Sequence, residues 1–189
     1  MGMPRIGLER WTAEMVRAFP SDGKRYEVID GELLVSPSPR VVHQRAVGEL
    51  YFLLKPWVQA QGIGEVMMSP ADLELESEGL VQPDIFVVPL DAHGVRISDW
   101  PEVKRLLLAI EVLSPSTARN DRVKKRDLFS RVGVPEYWVV DIKRSRVERY
   151  RPGSEVPELC DGTLTWHPDG ASAPLVVDLP HFFHLALGS

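Results

Sequence analysis

One cysteine, Cys160, is all that the chain contains, so neither an internal disulfide framework nor a cysteine-rich zinc module can be built from it. No apolar run approaches the ~18 residues of a membrane span, and Met1 to Arg10 lacks the apolar core of a signal peptide. Lysine and arginine are missing from Pro152 to Ser189, where five acids account for the whole net charge of −5. Residues 1 to 151 are balanced, 22 basic against 22 acidic. No glycine-rich loop is present to cradle a nucleotide's phosphates, which argues against a motor or a kinase. His93, His167, His181 and His184 have no metal-ligand spacing supported by nearby acids, and Ser114 and Ser116 have no His–Asp partners, so a zinc site and a serine hydrolase both read poorly. No repeat, low-complexity tract or long linker divides the 189 residues. The expectation is a soluble, cytoplasmic protein, with no membrane association, folded as one domain over 1–189 and long enough to bury roughly 70% of its extended-state surface.

What is present is punctuated clearly. Met15, Val16 and Phe19 behind a Thr12 N-cap predict a short helix, stopped by Pro20 and Asp22-Gly23. Tyr26 to Ile29, Asp30-Gly31 and Leu33 to Val35 predict a β-hairpin on a two-residue turn. Ser38-Pro39 reads as an N-cap with a first-turn proline, followed by apolar positions at helical spacing from Val42 to Trp57, with Pro56 expected to kink or end the helix. Strands are predicted at Glu65 to Met68, Ala71 to Leu75, Val81 to Val88 and Arg105 to Leu113. The last two are apolar on both faces, as central covered strands are. A helix over Asn120 to Val132, a buried strand over Glu136 to Asp141 and an edge strand over Arg146 to Tyr150 complete the pattern, after which regularity fades. This order implies an α/β (α+β) fold with a mixed sheet flanked by helices.

Two carboxylates stand in costly places. Asp84 lies at the mouth of the apolar strand Ile85 to Val88, and Glu111 lies near the end of the strand Leu106 to Leu113. A buried carboxylate shifts its pKa or takes a partner, and a divalent cation can hold two together. The plainer alternatives are that Asp84 caps a turn after Pro83 and that Glu111 pairs with an arginine. On the helix from Asn120, Leu128, Phe129 and Val132 define the apolar face, and Lys125 projects from the middle of it. Lys124 falls about 100 degrees away on the flank. Lys125 then either pairs with Asp121 at i, i+4 or reaches toward Asp84 and Glu111. Two carboxylates holding Mg²⁺ or Mn²⁺, with a lysine to orient water or neutralise charge, suffice for phosphodiester hydrolysis.

Asp84 in Gln82-Pro83-Asp84, the run Glu111-Val112-Leu113-Ser114-Pro115-Ser116-Thr117, then Asp121, Lys125 and Phe129, then Gly133-Val134-Pro135-Glu136-Tyr137-Trp138-Val139-Val140-Asp141 together resemble the Uma-type restriction-endonuclease family of the PD-(D/E)XK nuclease superfamily. Tyr26 to Leu33 and Ser38-Pro39-Arg40 to His43 extend the resemblance over residues 12 to 150. It implies a restriction-endonuclease-like core with an N-terminal helix and β-hairpin, which leaves the acidic stretch 152–189 as a C-terminal extension of the single domain. It also implies a metal held by Asp84, Glu111 and the Val112 carbonyl, and a catalytic lysine. The superfamily's lysine two residues after the glutamate is replaced here by Leu113, and the resemblance assigns its role to Lys125. Phe129 stands where family members usually carry tyrosine.

Glu27, Glu32 and His43 are further candidates for the site, Glu32 as an extra ligand after the hairpin turn. The expected substrate and partner is DNA, with a homodimer bringing together the basic stretches Arg119 to Arg131 and Lys143 to Arg151. The alternatives are a nuclease fold that has lost turnover and serves binding or assembly, and a hydrolase of RNA or another phosphate ester.

Overall fold

A computed structural model of the chain describes residues 10–77 and 79–188. The stretch weighed above for a signal peptide lies, except for Arg10, outside the described residues. Thr12 caps helix α1 (Ala13–Arg17) by accepting from the Met15 N–H. The hairpin follows as β1 (Arg25–Ile29) and β2 (Glu32–Ser36). Its two turn residues, Asp30 and Gly31, both have positive φ (53° and 78°), the geometry that the right-handed strand twist favours in a two-residue turn.

Helix α2 (Val41–Gln61) has its N-cap at Arg40, two residues beyond the expected cap at Ser38. The Ser38 hydroxyl donates instead to the Gly23 carbonyl, tying the segment before α2 to the loop before β1. Pro56 does not end the helix. It sits on the exposed face, and α2 stops at Gly62, whose left-handed φ of 64° satisfies the last turn.

The central sheet has six strands in the order β3 (Gly64–Met68), β4 (Ile85–Pro89), β5 (Leu108–Val112), β6 (Tyr137–Asp141), β7 (Arg146–Tyr150) and β8 (Glu158–Cys160). Only β5 and β6 are parallel, and helix α3 makes the crossover between them. Helix α3 covers residues 118–131 as an α turn (Ala118–Asn120), a π turn (Asp121–Lys125) and an α segment (Arg126–Arg131). Every residue of β4, β5 and β6 is buried, and alternate side chains serve two cores. Ile85, Val87, Ile110 and Trp138 pack with α2, whereas Phe86, Ala109 and Val139 pack with the hairpin and α3.

Three expectations fail. Ala71 to Leu75 forms no strand beyond a single bridge between Leu73 and Val81, and the long apolar runs 81–88 and 105–113 yield only the shorter strands Ile85–Pro89 and Leu108–Val112. Apolarity there reflects burial beneath the hairpin, to which Leu80 bonds through Val28. The stretch Arg146 to Tyr150 is not at the edge, because β8 pairs beyond it. The chain after Arg151 is also regular: β8, the antiparallel pair β9 (Thr163–Trp166) and β10 (Leu175–Asp178), and helix α4 (Leu179–Leu187). Trp166, Phe182 and Phe183 are each at most 2% exposed, and α4 packs on α2. The acidic extension is therefore core material whose acids lie on its outer face.

Candidate active site

Strand alternation brings the two expected carboxylates together. Asp84 shares parity with Phe86, and Glu111 with Ala109, so both project from the face covered by the hairpin and α3. Extending the antiparallel pairing Ile85↔Ile110 by one residue sets Asp84 directly opposite Glu111. The two are 3% and 2% exposed, and both line a cavity of about 620 Å³ at this end of the sheet.

Each carboxylate has its own cation. Asp84 accepts from Arg25 Nη2 at 2.8 Å, His43 Nε2 at 3.0 Å and the Val112 N–H at 2.8 Å. Burial alone would raise the Asp84 carboxyl, but the His43 hydrogen bond, the Arg25 charge and the Val112 N–H together hold it below the ordinary carboxylate range. Glu111 accepts from Lys125 Nζ at 2.7 Å. The same ammonium lies 2.9 Å from Glu27 and 3.8 Å from Asp121. Lys125 therefore reaches Glu111, Glu27 and Asp121, and Asp84 is served by Arg25 and His43. The two alternatives for Lys125 are both realised in part, since it pairs along its helix and across to the sheet.

One ammonium cannot neutralise three buried carboxylates. Desolvation raises Glu111 well above its usual range, with Lys125 opposing and Asp84, Asp121 and Glu27 adding to the rise. Desolvation likewise pushes Asp121 up to about 6, against the pull of Lys125. Desolvation would lower Lys125, but the surrounding carboxylates, Glu111 first, raise it instead, so it stays charged. Asp121 Oδ2 is buried without a partner, as is His43 Nδ1. The cluster holds four carboxylates against Lys125 and Arg25, a formal excess of two negative charges. That excess, the all-oxygen donors and the orphaned carboxylate oxygen suit a divalent cation that prefers oxygen. Among the described residues no group of three or more acids, histidines or cysteines is gathered closely enough to form a complete metal cage. A Mg²⁺-like ion needs none, because it keeps waters and takes substrate phosphate oxygens alongside one or two carboxylates.

The second-tier candidates divide. Glu27, 1% exposed, binds the Gln82 N–H at 2.8 Å as well as Lys125. His43, in the first turn of α2, is 9% exposed. Glu32 does not belong to the cluster: it shares a face with Glu27 but stands beside the turn, where its side chain is 63% exposed and pairs with Lys124 at 2.5 Å. The sequence reading did not single out Arg25, which also donates to the Gln82 carbonyl at 3.1 Å. The signal was available, since Arg25, Glu27 and Ile29 share one face of β1 at period two. Phe129 is fully buried against Tyr137, whose hydroxyl donates to the Asp121 carbonyl at 3.0 Å and steadies the π turn.

Residues 13–179 match the Uma2 family, described as "Putative restriction endonuclease". The chain belongs to the Uma2 family. A solved structure described as a "putative nuclease belonging to DUF820", from Anabaena variabilis ATCC 29413, superposes with a TM-score of 0.73 at 23% identity, over 93% of this chain and 98% of that one. At that identity the likeness speaks for the fold, which is restriction-endonuclease-like. No curated protein matches the chain. Uma2 membership makes this a nuclease-type protein. Among its described residues no helix is long and apolar enough to cross a membrane.

Proposed function

We propose that the chain is a metal-dependent endonuclease that hydrolyses phosphodiester bonds of DNA. One observation carries the reading: Asp84, immediately before β4, and Glu111, facing it on β5, open on the same cavity with the Lys125 ammonium 2.7 Å from Glu111. Asp84, Glu111 and the Val112 carbonyl would hold Mg²⁺ or Mn²⁺. In an extended strand the N–H and C=O of one residue point to the same side, and the Val112 N–H points at Asp84. Such an ion polarises the phosphate and lowers the pKa of a water.

The chain's own residues do the rest. Lys125 is locked by Glu27 and Asp121, so its ammonium is held beside Glu111 without reorganisation, where it orients the attacking water and offsets charge developing on the phosphate. His43 and Arg25 fix the Asp84 carboxylate in its ionised form, which is the form that binds a cation. The uncapped N-terminus of α2, with no acid in its first turn, adds positive potential at the cavity mouth, where the substrate's phosphates enter.

The test is cleavage of plasmid and single-stranded DNA with Mg²⁺ and with Mn²⁺, by wild type and by Glu111→Gln and Lys125→Ala proteins purified identically. Cleavage by wild type that is lost in both folded variants is expected. Absence of cleavage together with absence of metal binding by titration calorimetry would overturn the reading in favour of a non-catalytic nuclease fold.

A further inference from the structure

A π turn is an unusual way for a helix to pass through Asp121–Lys125. Such turns occur mostly as single-turn interruptions of α-helices. The five residues contain neither Gly nor Pro, and Arg122, Lys124 and Lys125 are good helix formers, so nothing local disfavours an α turn. Tertiary bonds therefore hold it. Downstream, Leu128 and Phe129 are 2% and 0% exposed in the core beneath α3. Upstream, two side chains fasten the turn to the sheet. Tyr137, at the start of β6, donates its hydroxyl to the Asp121 carbonyl at 3.0 Å. Arg122 reaches β7, where Nε donates to the two Glu148 oxygens at 3.0 and 2.8 Å and Nη2 donates at 2.6 Å to Glu148 and at 3.0 Å to Asp141. Both acids are buried, so this fork is held far more firmly than an exposed pair. Glu148 lies in the same cross-strand row as Glu111, through Glu111↔Val139 and Val139↔Glu148, so anchor and site share one rigid frame.

An α turn over the same residues would shed the extra residue and rotate one end of the helix against the other by roughly 100 degrees. With Leu128 and Phe129 fixed in the core, that rotation falls on Asp121 and Arg122. Asp121 then swings away from Lys125, now 3.8 Å distant, and the ammonium loses one of the three carboxylates that fix it beside Glu111. We propose that Tyr137 and Arg122 are positioning residues, which together hold the π turn of α3 and, through it, the Asp121 carboxylate and the Lys125 ammonium in the register that faces Glu111. This rests on the nuclease reading above for what the ammonium does, and on the geometry alone for how it is held.

The experiment pairs a spectrum with kinetics. In wild type the Lys125 ammonium, buried against three carboxylates, should exchange its protons slowly enough to give its own ¹H–¹⁵Nζ cross-peak, assigned by its loss in Lys125→Met. Tyr137→Phe keeps the ring and removes the bond to Asp121, and Arg122→Gln removes the fork. Tyr150→Phe is the control, since it removes a buried hydroxyl from β7 without touching the Asp121 carbonyl. The cross-peak should shift or broaden in the first two variants and stay in place in the third. In Mn²⁺-supported hydrolysis of bis(4-nitrophenyl) phosphate, with each protein shown to be folded by urea unfolding, kcat should fall roughly 10–100-fold in the first two while KM changes less than about twofold. Arg122→Lys, which keeps the charge but not the fork, should recover stability more than kcat. A cross-peak unmoved in both Tyr137→Phe and Arg122→Gln, or a loss of kcat matched by Tyr150→Phe, would overturn the proposal. A cross-peak that moves as expected in a protein whose wild type cuts neither this ester nor plasmid DNA would leave the clamp standing and sink the nuclease reading. Undiminished kcat in both variants of an active wild type would do the reverse.

Discussion

Replacing Lys125 by methionine should destabilise the protein by an amount that depends on pH. Methionine keeps most of the apolar stem, so the change removes charge more than volume. With an effective dielectric of about 20, contacts of 2.7, 2.9 and 3.8 Å to Glu111, Glu27 and Asp121 are each worth ~4–6 kcal/mol of gross attraction. Most of that is offset by the cost of burying the ammonium, and breaking one side of a buried ion pair nets about 3–5 kcal/mol. For a chain of this size that is a fall in Tm of ~10 °C. Without Lys125 the buried carboxyls, already raised at Glu111 and Asp121, rise further in the folded state. The folded variant then binds more protons than the unfolded chain between about pH 4 and those raised values, so its stability falls as pH increases through that window. Urea unfolding in the presence of chelator should show a deficit of several kcal/mol at pH 8 that has mostly closed at pH 5. A deficit of the same size at both pH values would mean that Lys125 acts by packing, and would refute the charge argument.

Asp121→Asn should do the opposite. The wild-type carboxyl is raised from 3.8 to about 6, so the folded state carries a penalty that is absent below about pH 4 and fully developed above about pH 6. The variant should be more stable than wild type by about 2–3 kcal/mol at pH 7.5 in chelator and indistinguishable at pH 4, as read by urea unfolding. Pro56→Ala should raise Tm, because Pro56 leaves one carbonyl of α2 unpaired on an exposed face and alanine restores the bond without opening a cavity; no change would mean the helix has already relaxed around it. Removing residues 152–189 should abolish cooperative unfolding, since it strips β8 from the sheet and Trp166, Phe182 and Phe183 from the core. A truncated chain with a sharp thermal transition would show that the rest folds alone.

The parts of the fold that were legible in the sequence are those with local causes. The Asp30-Gly31 turn, the Thr12 cap and the inward face of α3 follow from turn chemistry and periodicity, and Asp84 and Glu111 stood out because charge is rare on apolar strands. The parts that were not legible depend on long-range pairing. Ala71 to Leu75 has strand-like composition because it is buried, and nothing local tells burial from pairing. The segment after Arg151 looked irregular because its strands are three or four residues long and separated by Pro and Gly. Glu32 and Glu27 lie on the same face of the hairpin, and only their distance from the turn, with Glu27 held at the far end by the Gln82 N–H, leaves one in solvent and brings the other to Lys125.

The charge excess gives the site a consequence for folding as well as for chemistry. A core that kept only apolar residues here would be easier to stabilise, because Glu111 and Asp121 are both pushed toward protonation by a neighbourhood that Lys125 cannot satisfy. A bound divalent cation would remove that strain, so metal affinity and folding stability are linked at the same residues. The linkage predicts that millimolar Mg²⁺ or Mn²⁺ raises the Tm of wild type, and that the rise shrinks in Glu111→Gln even though that variant starts from a less strained state. Were the rise equal in the two proteins, the cation would be binding somewhere other than between β4 and β5, and both the ligand assignment and the account of why these acids are buried would fall together.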